Sequence, residues 1–191
     1  PKSFLLKCSH GTGWEMNVAD KDILEYSSVR KTLGEWMNSN FAQKAGLELQ
    51  YARIRPRILI EESISVSEEW QFMCFDGKVE LILADRHENG EISRFLFDRD
   101  WNSLCFAFSY PSALGVAEKP ALAEKMIELA ERCAVGFPFI RVDLTITLQN
   151  EIKFRSVSFT PGMGIGLFVP KFYDYFYGEK IPLPSAQKCK N

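Results

Sequence analysis

Three stretches of this 191-residue chain hold residue types that could do chemistry, and they are spread from one end to the other. Near the start, the apolar run Phe4-Leu5-Leu6 delivers Lys7, then Cys8-Ser9, into His10-Gly11-Thr12-Gly13-Trp14. A strand ending this way sets one fixed positive charge beside backbone amides that only glycine lets a ligand approach closely, which suits a polyphosphate. The same letters also describe an ordinary turn with a solvated lysine. In the middle, Ile60-Glu61-Glu62-Ser63-Ile64 leads to Glu68-Glu69. A strand leaving a buried run offers backbone groups to an adenine, and a carboxylate a few residues on can accept from ribose hydroxyls. Acid pairs are equally a surface feature. Arg86, at a strand end, either faces a transferred phosphate or closes a salt bridge.

The third stretch, residues 137–159, reads as two strands around a tight turn at Gln149-Asn150. Counting outward, Asp143 faces Ser156, with Arg141, Thr145 and Ser158 on the same side. Val142, Leu144, Ile146, Val157 and Phe159 point to the other, which is expected to be buried. The polar side is either the wet face of a sheet or half of a Mg-nucleotide site, because magnesium takes one or two carboxylates and leaves its other positions to phosphates and water. Asp143 supplies one carboxylate; a second is missing from the hairpin.

The elements that must hold these residues can be read in outline. Met16 and Val18 suggest a strand leaving the glycine loop. Residues 23–37 carry Val29, Leu33, Trp36 and Met37 at helical spacing, with a helix start near Asp20 and a break near Ser27-Ser28. Residues 38–46 read as a loop. Pro56 excludes a helix interior from residues 53–64, where Ile58-Leu59-Ile60 is expected to be a buried strand. Residues 70–75 and 79–84 form a hairpin across Asp76-Gly77-Lys78, and residues 92–97 add a strand after Glu88-Asn89-Gly90. Residues 98–119 are irregular. Pro120 opens the clearest helix, with Leu122, Met126, Leu129, Ala130 and Cys133 on its apolar stripe and Gly136 and Pro138 ending it. The tail, residues 168–184, is aromatic and proline-rich.

Bulk properties narrow the class. A hydrophobic content of 46% is enough to fold one domain, or two small lobes, without covalent staples. Five scattered cysteines, Cys8, Cys74, Cys105, Cys133 and Cys189, with two histidines, argue against a disulfide framework or a structural zinc site and for reduced thiols in a cytoplasmic compartment. A net charge of −2 gives no footprint for nucleic acid, although Arg53, Arg55 and Arg57 make a local basic run that is more simply a solvated strand edge. No apolar segment approaches the roughly 20 residues of a membrane span. The chain begins without methionine and reaches its first strand at Phe4, which reads as a trimmed chain with a partner segment upstream.

Taken in order, these pieces resemble the ATP-grasp superfamily, and within it the teichuronopeptide-biosynthesis, TupA-like branch. The matching segments are Leu6-Lys7-Cys8-Ser9-His10-Gly11-Thr12-Gly13-Trp14, Pro56-Arg57-Ile58-Leu59-Ile60-Glu61-Glu62 and Phe72-Met73-Cys74-Phe75-Asp76-Gly77-Lys78. They continue with Asp98-Arg99-Asp100-Trp101-Asn102, Arg141-Val142-Asp143, Ser158-Phe159-Thr160-Pro161-Gly162 and Ile181-Pro182-Leu183-Pro184. The resemblance implies an α+β fold of two lobes with antiparallel sheets and flanking helices. Residues 1–70 would be a small nucleotide-gripping lobe, and residues 71–191 a larger one with the metal-site hairpin. It implies ATP and Mg2+ as cofactors and a carboxylate that is phosphorylated and then attacked by an amine. The acceptor would be a carboxylate-bearing sugar or amino acid, in bacterial surface-polysaccharide or capsule assembly, where members are described as glycosyltransferase-like.

Carried over residue by residue, Lys7 would contact phosphates and His10, Gly11, Thr12 and Gly13 would form a flexible loop over them. Glu61, Glu62 and Ile64 would meet adenine, Glu68 or Glu69 the ribose, and Arg86 and Arg141 the transferred phosphoryl group. Asp143, with Ser156 and Ser158, would face the metal. Two departures stand out. Ser156 occupies the place of the metal-bridging glutamate, and Glu69-Trp70-Gln71-Phe72 replaces Asp-Tyr-Lys-Phe, removing a cation. A catalytically degenerate binding or scaffolding module is therefore the alternative to a ligase.

Overall fold

A computed structural model describes residues 1–44 and 48–182, and its chain divides into two compact units, Pro1–Ser65 and Val66–Asn191. Residues 45–46 of the expected loop, together with Leu183, Pro184 and Cys189, lie outside the described residues.

In the first unit, β1 (Phe4–Cys8) is the centre of a three-stranded antiparallel sheet between β2 (Glu15–Val18) and β3 (Ile58–Glu62). α1 (Tyr26–Met37) and the short α2 (Phe41–Lys44) accompany it. The expected break at Ser27-Ser28 is displaced. A 3-10 turn at Lys21–Ile23 ends first, and the serines form the opening turn of α1, where the Glu25 carboxylate accepts from both their amides at 3.3 and 2.7 Å. A cap aimed at those two orphan donors stabilises a start, not an interruption. Residues 38–46 are likewise not all loop, since α2 lies within them.

The expectation of a buried strand at Ile58-Leu59-Ile60 is overturned. Every residue of β3 is exposed, Ile60 to 67%, because β3 is an edge strand paired only with β1. A continuous apolar run cannot by itself say whether both faces of its strand are covered.

The second unit is built on a five-stranded antiparallel sheet in the order β6-β5-β4-β8-β9. Its strands are β4 (Val66–Phe75), β5 (Lys78–Glu88), β6 (Glu91–Phe97), β8 (Phe139–Thr147) and β9 (Ile152–Ser158). Between β6 and β8 come β7 (Ala107–Phe108) and α3 (Ala123–Ala134). After β9 come β10 (Phe168–Val169), which pairs with β7, and α4 (Phe172–Gly178). Asp76 and Gly77 both take positive φ, 47° and 78°, which makes the two-residue turn whose twist matches the strands it joins.

Both faces of this sheet are covered. On one, Phe72, Cys74, Val79, Ile82, Ile140, Val142 and Leu144 pack against Met126, Ile127, Ala130 and Ala134 of α3. On the other, Met73, Phe75, Leu81, Leu83 and Leu96 pack against Phe106, Phe108 and Tyr177. Cys133, expected on the buried stripe of α3, is exposed, and Ile127 and Ala134 are buried in its place. As far as it is described, the aromatic tail packs by its rings, with Phe106 stacked on Tyr173 at 3.9 Å.

The β8–β9 hairpin holds the expected register at its open end, where Arg141 pairs with Ser158, Val142 with Val157 and Asp143 with Ser156. A bulge beyond Asp143 then shifts Leu144 onto Phe154. The expected burial of Val157 and Phe159 fails, because β9 is the sheet's edge strand and Phe159 lies just past its end; both remain exposed. Among the described residues no helix is long and apolar enough to cross a membrane.

Candidate functional site

The second unit concentrates its polar chemistry on one sheet face, opposite α3. Alternation along β8 turns Arg141, Asp143 and Thr145 to this face while Val142 and Leu144 fill the core under α3. Arg141 grips Asp143 through two parallel bonds, Nε to Oδ1 and Nη2 to Oδ2, both 2.8 Å. Ser156 Oγ donates to Oδ2 from β9 at 2.7 Å. Asp143 is buried and Arg141 mostly so, which strengthens the pair relative to one in open water. Ser158 sits opposite Arg141 in the register.

Across β4, Gln71 is the cross-strand neighbour of Asp143. Its Nε2 donates to Asp85 on β5 at 3.3 Å, and its Oε1 is buried with no hydrogen-bond partner among the described residues. Asp85 in turn holds Arg94 of β6 bidentately, at 2.5 and 2.8 Å. Arg94 also lies over the ring of Tyr110 at 4.7 Å, and its amide bonds to the carbonyl of Pro111, which ties the irregular residues 109–113 to the sheet. The sequence reading missed Asp85 and Arg94. The signal was present: counting outward from the Asn89-Gly90 turn sets Arg94 directly opposite Asp85.

Arg86 is not part of this row. One residue from Asp85, it points to the α3 face, where it lies over Phe95 at 4.5 Å, bonds to the carbonyl of Leu114 and pairs with Glu88 at 3.7 Å. Strand alternation thus separates the two candidates for the phosphoryl group, Arg86 and Arg141, onto opposite faces. Glu68 also faces α3, accepting from Trp70 Nε1 at 2.9 Å, while exposed Glu69 pairs with Arg155 at 2.8 Å.

In the first unit, Lys7 is mostly buried and forms an ion pair with Glu61 at 2.7 Å. Two residues expected to meet different parts of a ligand therefore meet each other. Glu62 and Ile64 are exposed. The glycine loop is anchored where flexibility was expected: His10 is buried, its Nε2 lies 3.0 Å from the carbonyl oxygen of Trp36, and its ring meets Trp14 edge-on at 5.0 Å. Since a carbonyl only accepts, Nε2 carries the proton in that bond. Trp14 stacks on Trp36 and abuts Phe41. Gly11 is required by this packing, because a Cβ there would lie 2.6 Å from Trp14 Cε3. Only the tip, Thr12 and Gly13, is exposed, and Gly13 takes φ 69°.

The donor set does not fit a magnesium ion held by the protein alone. No three His, Cys, Asp or Glu residues cluster for a metal among the described residues, and both oxygens of Asp143 are already engaged by Arg141 and Ser156. A hydroxyl brings no charge to offset the dehydration of the ion.

The family described as TupA-like ATPgrasp matches residues 1–182. A solved structure of D-alanine–D-alanine ligase from Bacillus anthracis complexed with ATP is 22% identical, with a TM-score of 0.54, over 94% of this chain and 50% of that one. A second structure of the same enzyme is 24% identical, with a TM-score of 0.52, over 92% and 49%. The chain thus spans about half the length of these two structures, and at this identity the likeness establishes the fold. No curated protein sequence matches it.

Proposed function

Because the chain belongs to the TupA-like ATP-grasp family, we propose that it binds ATP as the magnesium complex and serves the joining of a carboxylate to an amine. The observation that carries this reading is the Arg141–Asp143–Ser156 constellation, a charged group set into a covered sheet face where a structural core would have no use for it. Buried ion pairs of this kind gain little stability over well-packed apolar residues, so their presence favours a chemical role.

Asp143 would be the carboxylate on this face to meet a magnesium ion carried by the nucleotide, giving up Arg141 or Ser156 to do so, and Arg141 would be the cation for the transferred phosphoryl group. Lys7 and the exposed loop tip of Thr12 and Gly13 meet phosphates, and the end of β3 meets adenine. The relatives that are ligases for alanine support a carboxylate and an amine as substrates. Surface-polysaccharide or capsule assembly, with a carboxylate-bearing sugar or amino-acid acceptor, is the setting we propose, in the cytoplasm where ATP and reduced thiols occur together.

The test is titration of the chain with Mg-ATP by calorimetry. Saturable heat is expected, weakened about tenfold or more by Asp143→Asn and by Lys7→Ala, the loss of one charged contact each. No heat together with no thermal shift defeats the proposal, since any ligand that binds only the native state raises the melting temperature.

A second reading, a degenerate binding module, is favoured by one observation: Ser156 and Arg141 already satisfy Asp143 without a metal. Ser156→Glu separates the two. Gained Mg-ATP affinity or hydrolysis marks a site that has lost a carboxylate, and no gain marks one that works as it stands.

A further inference from the structure

Side chains close the last turn of α1. Asn38 Nδ2 donates to the Gly34 carbonyl at 2.8 Å, Ser39 Oγ to that of Glu35 at 2.6 Å, and His10 Nε2 to that of Trp36 at 3.0 Å. The first two donors lie four residues from the carbonyl they serve, whereas His10 comes from 26 residues away, in the glycine loop after β1. The Trp36 carbonyl also accepts from the Ser39 amide at 3.0 Å, so the helix end is satisfied without the imidazole. The bond therefore serves the loop.

His10 is only 3% exposed, and its Nδ1 is buried with no hydrogen-bond partner among the described residues. A dry nitrogen without a donor costs the folded state, and a phenylalanine would fill the place beside Trp14 without that cost. What the imidazole has and a phenyl ring lacks is the proton on Nε2. Gly11, next in the chain, is pinned as well, since a Cβ there would lie 2.6 Å from Trp14 and 2.9 Å from Phe41. Beyond the exposed Thr12 and Gly13, Trp14 stacks on the ring of Trp36 at 6.4 Å. Both sides of the loop tip are thus fastened to one residue of α1, on one side to its carbonyl and on the other to its indole.

We propose that His10 is a positioning residue that, with Trp14, hangs the loop tip on Trp36, so that the end of α1 sets how well ordered Thr12 and Gly13 are when phosphates arrive. The inference rests on the reading above, in which this tip meets phosphates, and it adds how that contact is regulated. His10 itself touches no ligand. A loop ordered beforehand loses less conformational freedom on binding and so binds more tightly.

The test reads the tip directly, by heteronuclear NOE at the Thr12 and Gly13 amides of the full chain without nucleotide, and then the affinity for Mg-ATP by calorimetry. His10→Phe keeps a ring beside Trp14 and loses the donor; His10→Gln keeps an N–H at the reach of Nε2 and loses the ring. The Phe variant is expected to loosen the tip and weaken Mg-ATP about tenfold, and the Gln variant to restore the order and bring affinity within about threefold of the original. Asn38→Ala, which frays the end of α1 at an exposed residue, should loosen the tip of the native chain and add nothing in His10→Phe. Imidazole nitrogen NMR of the native chain, which needs no variant to fold, should find the His10 proton on Nε2 and none on Nδ1. A tip as ordered in His10→Phe as in the native chain, a Gln variant no better than the Phe one, an additive effect of Asn38→Ala, or a proton on Nδ1 overturns the proposal. No Mg-ATP heat from the native chain removes the nucleotide reading instead, and the NOE and imidazole measurements, which contain no ATP, still decide whether His10 holds the tip. Heat unchanged by His10→Phe removes the positioning role and leaves the nucleotide reading standing.

Discussion

The three-stranded sheet of the first unit and the five-stranded sheet of the second differ in how fully each is covered, and the difference decides how each holds its polar residues. In the second, Phe72 is 0% exposed, helix α3 closes one face and an aromatic layer closes the other. Asp143 is therefore fixed by a backbone that cannot shift without disturbing two cores. In the first, α1 contains no fully buried residue and β3 is open along its length. Lys7 is held there by an ion pair with an exposed partner, and His10 by an aromatic cluster. The charge in the central sheet is built in. The one in the small sheet is held by contacts that a ligand could replace.

The widest separation between the two regions should appear in stability. Phe72→Ala is expected to cost about 3–5 kcal/mol in urea denaturation, the range for a fully buried ring. Ile60→Ala should stay within about 0.5 kcal/mol, as for other exposed sites. Comparable losses would show that the small sheet is as well covered as the large one. Next, Gly11→Ala should cost about 1–3 kcal/mol by overpacking against Trp14, with a change in near-UV circular dichroism. Gly13→Ala, whose Cβ meets open space, should cost about 1 kcal/mol through its positive φ alone. Equal effects would mean the loop is not anchored by its rings.

A smaller effect concerns acid. Burial pushes the Glu131 carboxyl up, but hydrogen bonds from Arg99, the Val79 amide and Lys78 outweigh it and leave the pKa below the usual value. A depressed carboxyl contributes stability above its unfolded pKa and loses it as pH falls through the folded one. The second unit should therefore weaken on acidification below about pH 4.5, and Glu131→Gln should flatten that part of the profile. A profile unchanged by the substitution would break the link between α3, the β4–β5 turn and acid stability. Smallest of all, thiol labelling of the native chain should modify exposed Cys105 and Cys133 and spare Cys8 and Cys74. Burial, with Glu131 and Cys133 adding, pushes Cys74 up to about 12, and burial raises Cys8 as well. With rising urea Cys8 should open before Cys74; the reverse order would invert the comparison.

Much of the second unit was legible from local chemistry. Asp76-Gly77 and Asn89-Gly90 announce hairpins because few other pairs tolerate two positive φ values in succession. The pairing of Asp143 with Ser156 follows from counting back from the next turn. Arg94 was legible by the same count and passed over, because an arginine in an edge strand looks like solvent exposure until its partner on the adjacent strand is placed. Arg86 shows the opposite error: its residue type fitted a phosphate, but its parity along β5 sends it to the other face. The anchoring of His10 could not be read from the chain at all, since its partner Trp36, and Phe41 behind Trp14, come from helices whose position over the loop no local pattern specifies.

The amino-acid order alone determined the long strands of the second unit, their turns, the facing of Asp143 and Ser156, and membership of a family. These depend on backbone dihedrals and on a two-residue period, both properties of neighbours in the chain. The folded arrangement decided which apolar runs are covered, that Lys7 meets Glu61, and that Arg141 closes on Asp143. Those outcomes depend on which distant surfaces come together to exclude water.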